Sequence, residues 1–404
     1  MPKTYKNRMR ILAISYLFPN SIYPNSGIFV LNRLKAVSKY CDVKVINPIP
    51  WFPFNSLLKR YKNYHLIPGR EVIEGIEVFH PRFFFIPQYL KIVDSFTFIL
   101  ALFPLALKIK KIFPYDLIDV HWTYPDLPSA YFLARFLRKK QLITLRGKEA
   151  LYTDIQWLYK KIILPLIDRS DIVISLSRQL MDLCIAGGIS GNKFRIIRNG
   201  ADTFLFHFLD RDMCRQRLNL LKNKRIIISV GSLIYGKGFD RIIKALPEIL
   251  KKYPDAVLYI IGPEWATGNY KRELVQLVKK HSLDGKVRFT GGVKNHELVF
   301  WYNSADVFCL ASRGEGSPNV LSEALCCGCP SVATDVGSVP EILGDDSMGA
   351  VIPDDDNALF SGLMTVLAKK YDRRAISISM KQYDWDWCAR KVVQVYREIF
   401  EGKP

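Results

Sequence analysis

Two glutamates are the first candidates for chemistry in this chain. Glu315 lies in the Gly/Ser/Pro-rich half of the run SRGEGSPNVLSEALCCGCP, and Glu323 follows eight positions later in its more apolar half. Carboxylate oxygens accept hydrogen bonds from hydroxyl groups, so two carboxylates at this spacing suit a ligand that carries hydroxyl groups at both of its ends. Taken alone, the spacing also fits an ordinary turn residue followed by a solvated helix residue.

The pattern around Glu315 predicts a strand, a loop and a helix. ADVFCLAS is typical of a buried strand, and SPNVLSEALCC has the start signal of a helix, with Ser317 as N-cap and Pro318 at the first helical position. The backbone N–H groups of Asn319 and Val320 would then lie at the positive end of the helix dipole, which favours an anion. A phosphate flanked by hydroxylated rings describes a nucleotide sugar.

A second glycine-rich loop is a candidate phosphate-binding element. GSLIYGKGFD follows a strand-like run; its glycines let the backbone approach a ligand, and Lys237 offers a mobile cation. The segment nearly matches a P-loop, but Gly238 occupies the Ser/Thr position that would hold magnesium, and the next strand ends without an acidic residue. A phosphate-binding lysine therefore fits better than a P-loop NTPase, and an ordinary loop lysine is the alternative.

Three residues in the first half of the chain follow predicted strands. Gly27 lies between the first strand and the first helix, His121 ends the run LIDVH, and Arg146 follows QLITL. Ligands of parallel α/β sheets bind at the carboxyl ends of the strands, so polar residues there are expected to line a cleft. Each is a candidate binding residue, although any strand-to-helix turn can carry a glycine.

Composition predicts a folded chain with two domains. The chain has 404 residues, of which 49% are hydrophobic and 24% charged. Its formal net charge of +20 favours anionic partners: phosphorylated ligands, nucleic acid or an anionic membrane face. The longest apolar run, FTFILALFPLAL, is shorter than the about 20 residues that span a bilayer and contains Pro104, so no transmembrane helix is predicted.

The sequence predicts no metal site. Cys326 and Cys329 form a C-x-x-C, but no second pair or nearby histidine completes a zinc site, and buried thiols explain the eight cysteines better. The acidic run PDDDN directly precedes a helix-like segment and is interpreted as a helix cap. The cysteine pattern fits reduced thiols in a cytosol rather than a secreted disulfide framework.

Strand-like and helix-like runs alternate through both halves of the chain. Near-continuous apolar strands joined by helices predict parallel sheets covered on both faces. The pattern restarts at Arg225 after a polar stretch. The predicted fold is therefore α/β, with two Rossmann-like domains facing a central cleft: residues 1–204 and residues 205–386.

Together these motifs resemble a retaining glycosyltransferase of family 4 with the GT-B fold, most closely the bacterial teichuronic-acid and other cell-surface polysaccharide members. The resemblance runs from the first strand to the last helix. It is carried by EGSPNVLSEAL, VGSLIYGKG, the RNGAD turn at Asn199, the ADVFCLAS strand and GSVPEI. It also implies that a terminal helix, residues 387–404, packs back on the N-terminal, acceptor-side domain.

The resemblance implies roles for individual residues. Lys237 would neutralise the diphosphate of the donor, Glu323 would hold its ribose, and Glu315 would hold the transferred sugar. Gly27 would approach the diphosphate from the N-terminal domain. Lys237 and Glu315 are the predicted catalytic residues. The predicted substrate-binding residues are Gly27, His121, Arg146, Asn199, Ser232, Lys237, Glu315, Gly316, Ser317, Pro318, Asn319, Val320 and Glu323.

Two positions depart from the family pattern. Many members have arginine where Ser232 stands, which leaves Lys237 to neutralise more of the phosphate charge. Many have histidine where Arg146 stands, so a catalytic role for Arg146 is left open.

The predicted function is transfer of a hexose from a nucleotide diphosphate sugar to a cell-surface glycan or its lipid-linked precursor, with retained anomeric configuration and no metal or cofactor. Lys237 and the helix start would stabilise the charge on the departing diphosphate. A nucleotide-sugar epimerase of similar fold is one alternative and would need acid and base groups flanking the sugar. A nucleic-acid-binding protein is another, but the lysines are spread over many helices, so nucleic acid is not an expected partner.

The expected location is cytoplasmic, peripheral on the inner face of the cell membrane. Between Phe83 and Phe113, apolar and aromatic runs neighbour Lys108, Lys110 and Lys111. Basic residues near an anionic leaflet contribute about 1 kcal/mol each. Packing in a buried helix is the alternative for the FTFILALFPLAL run.

Overall fold

The structure is a computed structural model that describes residues 8–53, 58, 61–85, 91–147, 157, 159–264 and 270–401. Residues 86–90 of the predicted membrane-facing stretch and residues 402–404 of the predicted terminal helix lie outside these ranges.

The chain divides into two units. The N-terminal unit is Met1–Asn199 with Trp385–Pro404, and the C-terminal unit is Gly200–Asp384. The sequence predicts these boundaries slightly later, after residues 204 and 386. Within the C-terminal unit, the N–H of Ala201 donates to the carbonyl of Tyr383 (3.0 Å), so a backbone hydrogen bond joins the first and last segments of this unit.

The strands, in chain order, are β1 Arg10–Ile14, β2 Asp42–Ile46, β3 Ile49–Trp51, β4 Arg70–Ile73, β5 Ile76–Phe79, β6 Arg82–Phe84, β7 Leu117–Val120, β8 Lys140–Leu145, β9 Ile172–Ser175, β10 Phe194–Ile196, β11 Ile226–Val230, β12 Val257–Ile261, β13 Val287–Gly291, β14 Val307–Leu310, β15 Ser331–Thr334 and β16 Gly349–Ile352. The α-helices are α1 Ile28–Val37, α2 Lys91–Ile112, α3 Asp126–Leu137, α4 Leu164–Asp168, α5 Arg178–Ala186, α6 Arg211–Arg217, α7 Phe239–Lys252, α8 Tyr270–Lys280, α9 Asn295–Ser304, α10 Asn319–Cys326, α11 Val339–Leu343, α12 Asp356–Ala368, α13 Arg373–Met380 and α14 Trp385–Glu401.

Each unit has a large sheet whose strand order reverses at its first strand. In the N-terminal unit the order is β10-β9-β8-β7-β1-β2-β5-β4, and in the C-terminal unit it is β13-β12-β11-β14-β15-β16. The C-terminal sheet is parallel throughout, which confirms the predicted Rossmann-like α/β architecture. Ligands of such sheets bind at the carboxyl ends of the strands where the order reverses, here β1/β7 and β11/β14.

The strands that the sequence analysis missed are short ones in the N-terminal unit. β4 and β5 form an antiparallel hairpin whose turn residues, Glu74 and Gly75, both have positive φ angles. β3 and β6 pair as a separate ribbon. The signal for the hairpin in the sequence was the Glu74-Gly75 pair between two runs of alternating apolar residues.

The terminal helix α14 covers one face of the N-terminal sheet. Its buried residues Cys388, Val392 and Tyr396 recur at the four-residue spacing of one helix face and join a core cluster with Ile11 and Leu142. Full burial of an aliphatic side chain contributes about 1.5–3 kcal/mol relative to exposure, so this face holds the helix on the sheet.

The acidic run before α12 is a helix cap, as predicted. The side chain of Asp355 accepts a hydrogen bond from the N–H of Ala358 (2.8 Å). Its neighbours Asp354 and Asp356 both pair with the guanidinium of Arg241. The eight cysteines are buried thiols.

No helix within the described ranges has an apolar stretch that could span a bilayer.

A close backbone contact joins the loops that follow β11 and β14. Gly238 has a φ of +66°, and a Cβ at this position would lie 1.9 Å from the carbonyl oxygen of Ala311. Only glycine permits both this φ and this approach.

We expect Gly238→Ala to destabilise the C-terminal unit more than Gly285→Ala. Gly285 also has a positive φ (+75°), but a Cβ there would meet no atom within 4 Å. The control change should therefore lower the free energy of unfolding by about 1 kcal/mol, and Gly238→Ala by roughly 2–4 kcal/mol. Urea unfolding followed by tryptophan fluorescence measures both, and equal losses would contradict the contact.

Candidate active site

The carboxyl ends of β11 and β14 bring the two predicted catalytic residues together. Lys237 ends a 3₁₀ turn after β11, and Glu315 lies in the loop after β14. The Lys237 Nζ atom lies 2.6 Å from Glu315 Oε1. The two side chains are 26% and 11% exposed, so the pair is accessible to a ligand from one side.

The loop around Glu315 is held by its own Ser312 and by the end of β15 with the turn that follows it. Ser312 Oγ donates to Glu315 Oε1 (2.7 Å), and Thr334 at the end of β15 donates to the Ser312 carbonyl (2.6 Å). A Cβ at Gly337, which has a φ of +59°, would lie 2.5 Å from the Glu315 carbonyl oxygen. The carboxylate is therefore positioned by backbone packing as well as by hydrogen bonds.

An ion pair that sequence analysis missed joins the same two loops. Arg313 donates two hydrogen bonds to Asp240 at the start of α7 (2.9 and 2.8 Å), and Tyr270 donates a third (2.7 Å). Burial acts to raise the pKa of Asp240, but these hydrogen bonds outweigh it and lower the pKa. The Arg313 guanidinium also stacks 3.9 Å from the ring of Tyr235. The available sequence signal was an arginine two residues before Glu315.

Helix α10 begins one residue later than predicted. Pro318, with ψ at 102°, is the extended N-cap, and Asn319 is the first helical residue, so the prediction of Ser317 as N-cap is wrong. Ser317, as the residue before a proline, is disfavoured in the helical region, and Pro318 is itself extended, so the helix begins at Asn319. Asn319 and Val320 still lie in the first turn, at the carboxyl edge of the sheet and next to the Glu315 loop.

Glu323 lies farther along α10 and is half-buried. The Tyr302 hydroxyl donates to its Oε2 atom (3.0 Å). Burial raises the pKa of Glu323 to about 7, the Tyr302 hydrogen bond lowers it in part, and the charge of Asp202 raises it further. The carboxyl group therefore changes its charge near neutral pH.

The remaining predicted residues of the C-terminal unit lie in these same loops. Ser232 follows β11 and is half-buried, and Gly316 and Pro318 are buried in the loop before α10. The Gly316 carbonyl accepts a hydrogen bond from the N–H of Ser338 (2.9 Å). Each predicted residue of this unit therefore lies in the β11 loop, the β14 loop or α10.

In the N-terminal unit, Arg146 contacts the helix that follows Gly27. Gly27 has a φ of +64°, and a Cβ there would lie 2.4 Å from the Leu17 carbonyl oxygen. Two residues on, in α1, the ring of Phe29 lies 5.3 Å from the Arg146 guanidinium carbon. The first turn of α1 and the residue that follows β8 thus meet near the strand-order reversal.

His121 is placed differently from the prediction, which had it lining a cleft. Its side chain is fully buried: Arg146 Nη2 donates to Nδ1 (2.7 Å), and Nε2 lies 3.4 Å from Asp119 Oδ2. Two oppositely charged neighbours hold the ring inside the protein because both face its nitrogens. Asn199 is also buried, and its Oδ1 accepts a hydrogen bond from Arg33 (3.2 Å).

A depression of about 610 Å³ lies at the opposite, amino-terminal edge of the C-terminal sheet. Among its charged residues, Arg211 pairs with Asp306 and Arg225 with Asp255 (both 2.9 Å). These two arginines are therefore neutralised within the protein, and the Lys237–Glu315 edge, at the carboxyl ends of the strands, is the stronger candidate.

Two family models match the chain. "Glycosyl transferases group 1" matches residues 210–382, and "Glycosyltransferase Family 4" matches residues 42–204. Their junction falls near the boundary between the two units.

Individual relatives extend over most of the chain. The glycosyltransferase TuaC of Bacillus subtilis, named for teichuronic acid biosynthesis, is 28% identical over 357 residues, 87% of each chain. A Campylobacter jejuni 4-alpha-N-acetylgalactosaminyltransferase, whose name gives a diphospho-undecaprenol-linked acceptor, is 30% identical over 67% of this chain and 73% of its own.

Solved structures share the fold at low identity. A sucrose-phosphate synthase of Thermosynechococcus elongatus has a TM-score of 0.77 at 20% identity, with 98% of this chain and 100% of that chain covered. Anabaena HepE in complex with UDP has a TM-score of 0.73 at 20% identity, with 97% and 100% covered. Family models, relatives and fold agree: the chain belongs to family 4 of the glycosyltransferases and has the GT-B fold.

Proposed function

We propose that this glycosyltransferase moves a hexose from a nucleotide diphosphate sugar to a cell-surface glycan or its lipid-linked precursor, with retained anomeric configuration and without a metal. The observation that carries the proposal is the Lys237–Glu315 pair, 2.6 Å apart at the strand-order reversal and beside the first turn of α10. Family membership argues against the epimerase and nucleic-acid alternatives.

The donor diphosphate would bind Lys237 and the first turn of α10. An anion at a helix N-terminus is favoured by the dipole and by backbone N–H groups. In the unliganded protein Lys237 and Glu315 neutralise each other. When the diphosphate binds Lys237, Glu315 becomes available to accept hydrogen bonds from hydroxyls of the sugar.

Charge on the leaving group explains why this arrangement accelerates transfer. As the bond between sugar and diphosphate breaks, negative charge grows on the diphosphate oxygens. A cation and helix dipole already in place stabilise that charge without reorganisation, which is worth about 10²–10³ in rate for one such group. Retention follows if the acceptor attacks from the face that the diphosphate leaves, and this route requires no protein nucleophile.

Support for a cell-envelope acceptor comes from the relatives. The names of two of them refer to teichuronic acid biosynthesis and to a diphospho-undecaprenol-linked acceptor. An enzyme that uses such an acceptor works at the membrane surface, so we place this protein on the inner face of the cell membrane.

An exposed apolar face on the N-terminal unit suits that location. We define the α2–α3 face as Phe96, Leu100, Phe132 and Phe136, which are 57–67% exposed. Phe103 and Phe136 stack edge to face (4.7 Å), so the two helices present one continuous surface.

The rest of α2 packs as the alternative interpretation expected, with Phe98 and Leu102 buried in the core. The exposed lysines Lys108 and Lys111 lie on the same helix as Phe96 and Leu100. Apolar side chains flanked by cations fit an anionic lipid surface.

We expect Lys237→Ala and Glu315→Ala each to lower transfer by about 10²–10³ while changing the free energy of unfolding by less than about 1 kcal/mol. Transfer from nucleotide sugars and urea unfolding are measured on the same samples. Excess EDTA is present, because the proposal has Lys237 rather than a metal ion stabilise the charge on the diphosphate. Lys251→Ala is the matched control, since Lys251 pairs with Glu248 (2.7 Å) in the last turn of α7, at the opposite end of that helix from Lys237.

Full activity in either site variant would remove that residue from the mechanism. Activity that is lost in EDTA and restored by a divalent cation would show that a metal takes part.

We expect donor affinity to rise with pH through about 7. The ionised form of Glu323 is the stronger acceptor for ribose hydroxyls, and burial raises the pKa of Glu323 to about 7. Glu323→Gln should bind the donor more weakly at pH 8 and lose this pH dependence. Calorimetric titration with UDP sugars between pH 6 and 8 tests it, and identical profiles for both proteins would refute the assignment.

The same shift has a definite sign for stability. A carboxyl group whose pKa is raised in the folded protein stabilises it at low pH, and that contribution is lost as the pH rises from about 4.5 to 7. Glu323→Gln should therefore be more stable than the wild type at pH 8, by roughly 1–3 kcal/mol, and similar to it at pH 4.5.

We expect binding to vesicles that rises with anionic lipid content and falls with salt. Phe136→Ser should weaken vesicle binding by roughly ten- to a hundredfold, because an inserted aromatic side chain contributes about 1.5–3 kcal/mol. Phe204→Ser is the control, because Phe204 is 93% exposed but lies in the C-terminal unit. Equal effects of the two changes would argue against the α2–α3 face, and no binding at low salt would point to a soluble acceptor.

A further inference from the structure

A buried group of charged and polar side chains lies beneath the strand-order reversal of the N-terminal sheet. Its five members come from four segments: Arg33 in α1, Asp119 in β7 with His121 directly after it, Arg146 after β8 and Tyr396 in α14. The first three and Tyr396 are at most 1% exposed, and Arg146 is 7% exposed. Burying so many polar groups is unfavourable unless they are matched to one another.

Four of them form a chain of contacts. The Tyr396 hydroxyl donates to Asp119 Oδ2 (2.6 Å). The same carboxylate oxygen lies 3.4 Å from His121 Nε2. At the other side of the ring, Arg146 Nη2 lies 2.7 Å from Nδ1. This series of contacts therefore runs from the terminal helix, through the sheet, to the residue that follows β8.

These contacts select one tautomer of His121. A guanidinium group has only donors, so Nδ1 must accept and cannot carry a proton. The proton is then on Nε2, which faces the Asp119 carboxylate. The carboxylate thus holds the tautomer that lets the ring accept a hydrogen bond from Arg146.

The charges around the ring favour its neutral form. Arg33 and Arg146 are two cations, and Asp119 is the anion that faces the ring, so protonation of His121 would add a third cation. Burial lowers the pKa of His121; Asp119 opposes this, and Arg146 and Arg33 contribute to it. Tyr396 acts on the ring through Asp119.

We propose that Tyr396 and Asp119 are positioning residues for Arg146, acting through the neutral Nε2–H tautomer of His121. Arg146, the last member of this series of contacts, lies against Phe29 in the first turn of α1, at the carboxyl edge of the N-terminal sheet. The inference rests on the proposed function, because it assigns Arg146 to the anionic part of a substrate and gives His121 an indirect role. It also makes the terminal helix, 277 residues from Asp119 in sequence, part of the substrate edge.

Tyr396→Phe tests the proposal against a purely structural role for α14. Removing the hydroxyl leaves the Asp119 charge less neutralised, which favours protonation of His121 and release of Arg146. We expect kcat/KM to fall on the order of tenfold, as for misplacement of a supporting group, and the acid limb of its pH profile to move to higher pH.

Tyr40→Phe is the matched control. The Tyr40 hydroxyl also donates to a carboxylate of α14, that of Asp386 (3.0 Å). Tyr40→Phe therefore removes a comparable hydrogen bond to the helix but leaves the contacts from Tyr396 to Arg146 unchanged. It should leave the pH profile of kcat/KM unchanged. Equal losses in the two variants with unshifted profiles would overturn the proposal.

A second measurement does not depend on activity. Ring-nitrogen chemical shifts of ¹⁵N-histidine-labelled protein, with the His121→Gln variant to identify the signal, should show an Nε2–H tautomer. In the wild type it should titrate at lower pH than an ordinary histidine, and in Tyr396→Phe at higher pH than in the wild type. An Nδ1–H tautomer would refute the chain of contacts. If no nucleotide sugar supports transfer, the proposed function fails. The measured tautomer still shows whether the contacts of His121 are arranged as proposed.

Discussion

The contact between Gly238 and the Ala311 carbonyl is the constraint on which the C-terminal site depends. Two loops from neighbouring strands meet there at a distance that leaves no space for a Cβ. Because they meet, Lys237 on one loop reaches Glu315 on the other, and Arg313 reaches Asp240. The ion pairs therefore depend on a backbone approach, and a larger residue at position 238 would separate both pairs at once.

Sequence patterns predicted what is local and repetitive. The apolar runs of the parallel strands, the acidic cap before α12 and the loops that carry Lys237 and Glu315 all follow from short-range composition. The start of α10 was misplaced by one residue because proline fits both the N-cap and the first turn, and the extended backbone of Pro318 decided between them. The contact between Tyr396 and Asp119 could not be predicted, since no local pattern relates residues so far apart in sequence.

The two units bury charge in different ways. In the C-terminal unit the Lys237–Glu315 pair keeps one side accessible, so its partners can exchange for a ligand at modest electrostatic loss. In the N-terminal unit Asp119 and His121 are enclosed, so removing one member leaves the others uncompensated. The first arrangement suits binding, and the second suits holding a neighbouring group in one orientation.

The eight cysteines are all buried, and burial raises the pKa of Cys41 and Cys214 to about 11 and of Cys309 to about 12. Native thiols in this state react slowly with alkylating reagents, because the thiolate is the nucleophile and it is scarce and enclosed. Cys41, Cys184 and Cys388 lie in the N-terminal unit and the other five in the C-terminal unit. The rate of alkylation of the cysteines in each unit thus reports how often that unit opens. A cysteine introduced on the surface would react with a fluorescent label much faster than the eight native cysteines.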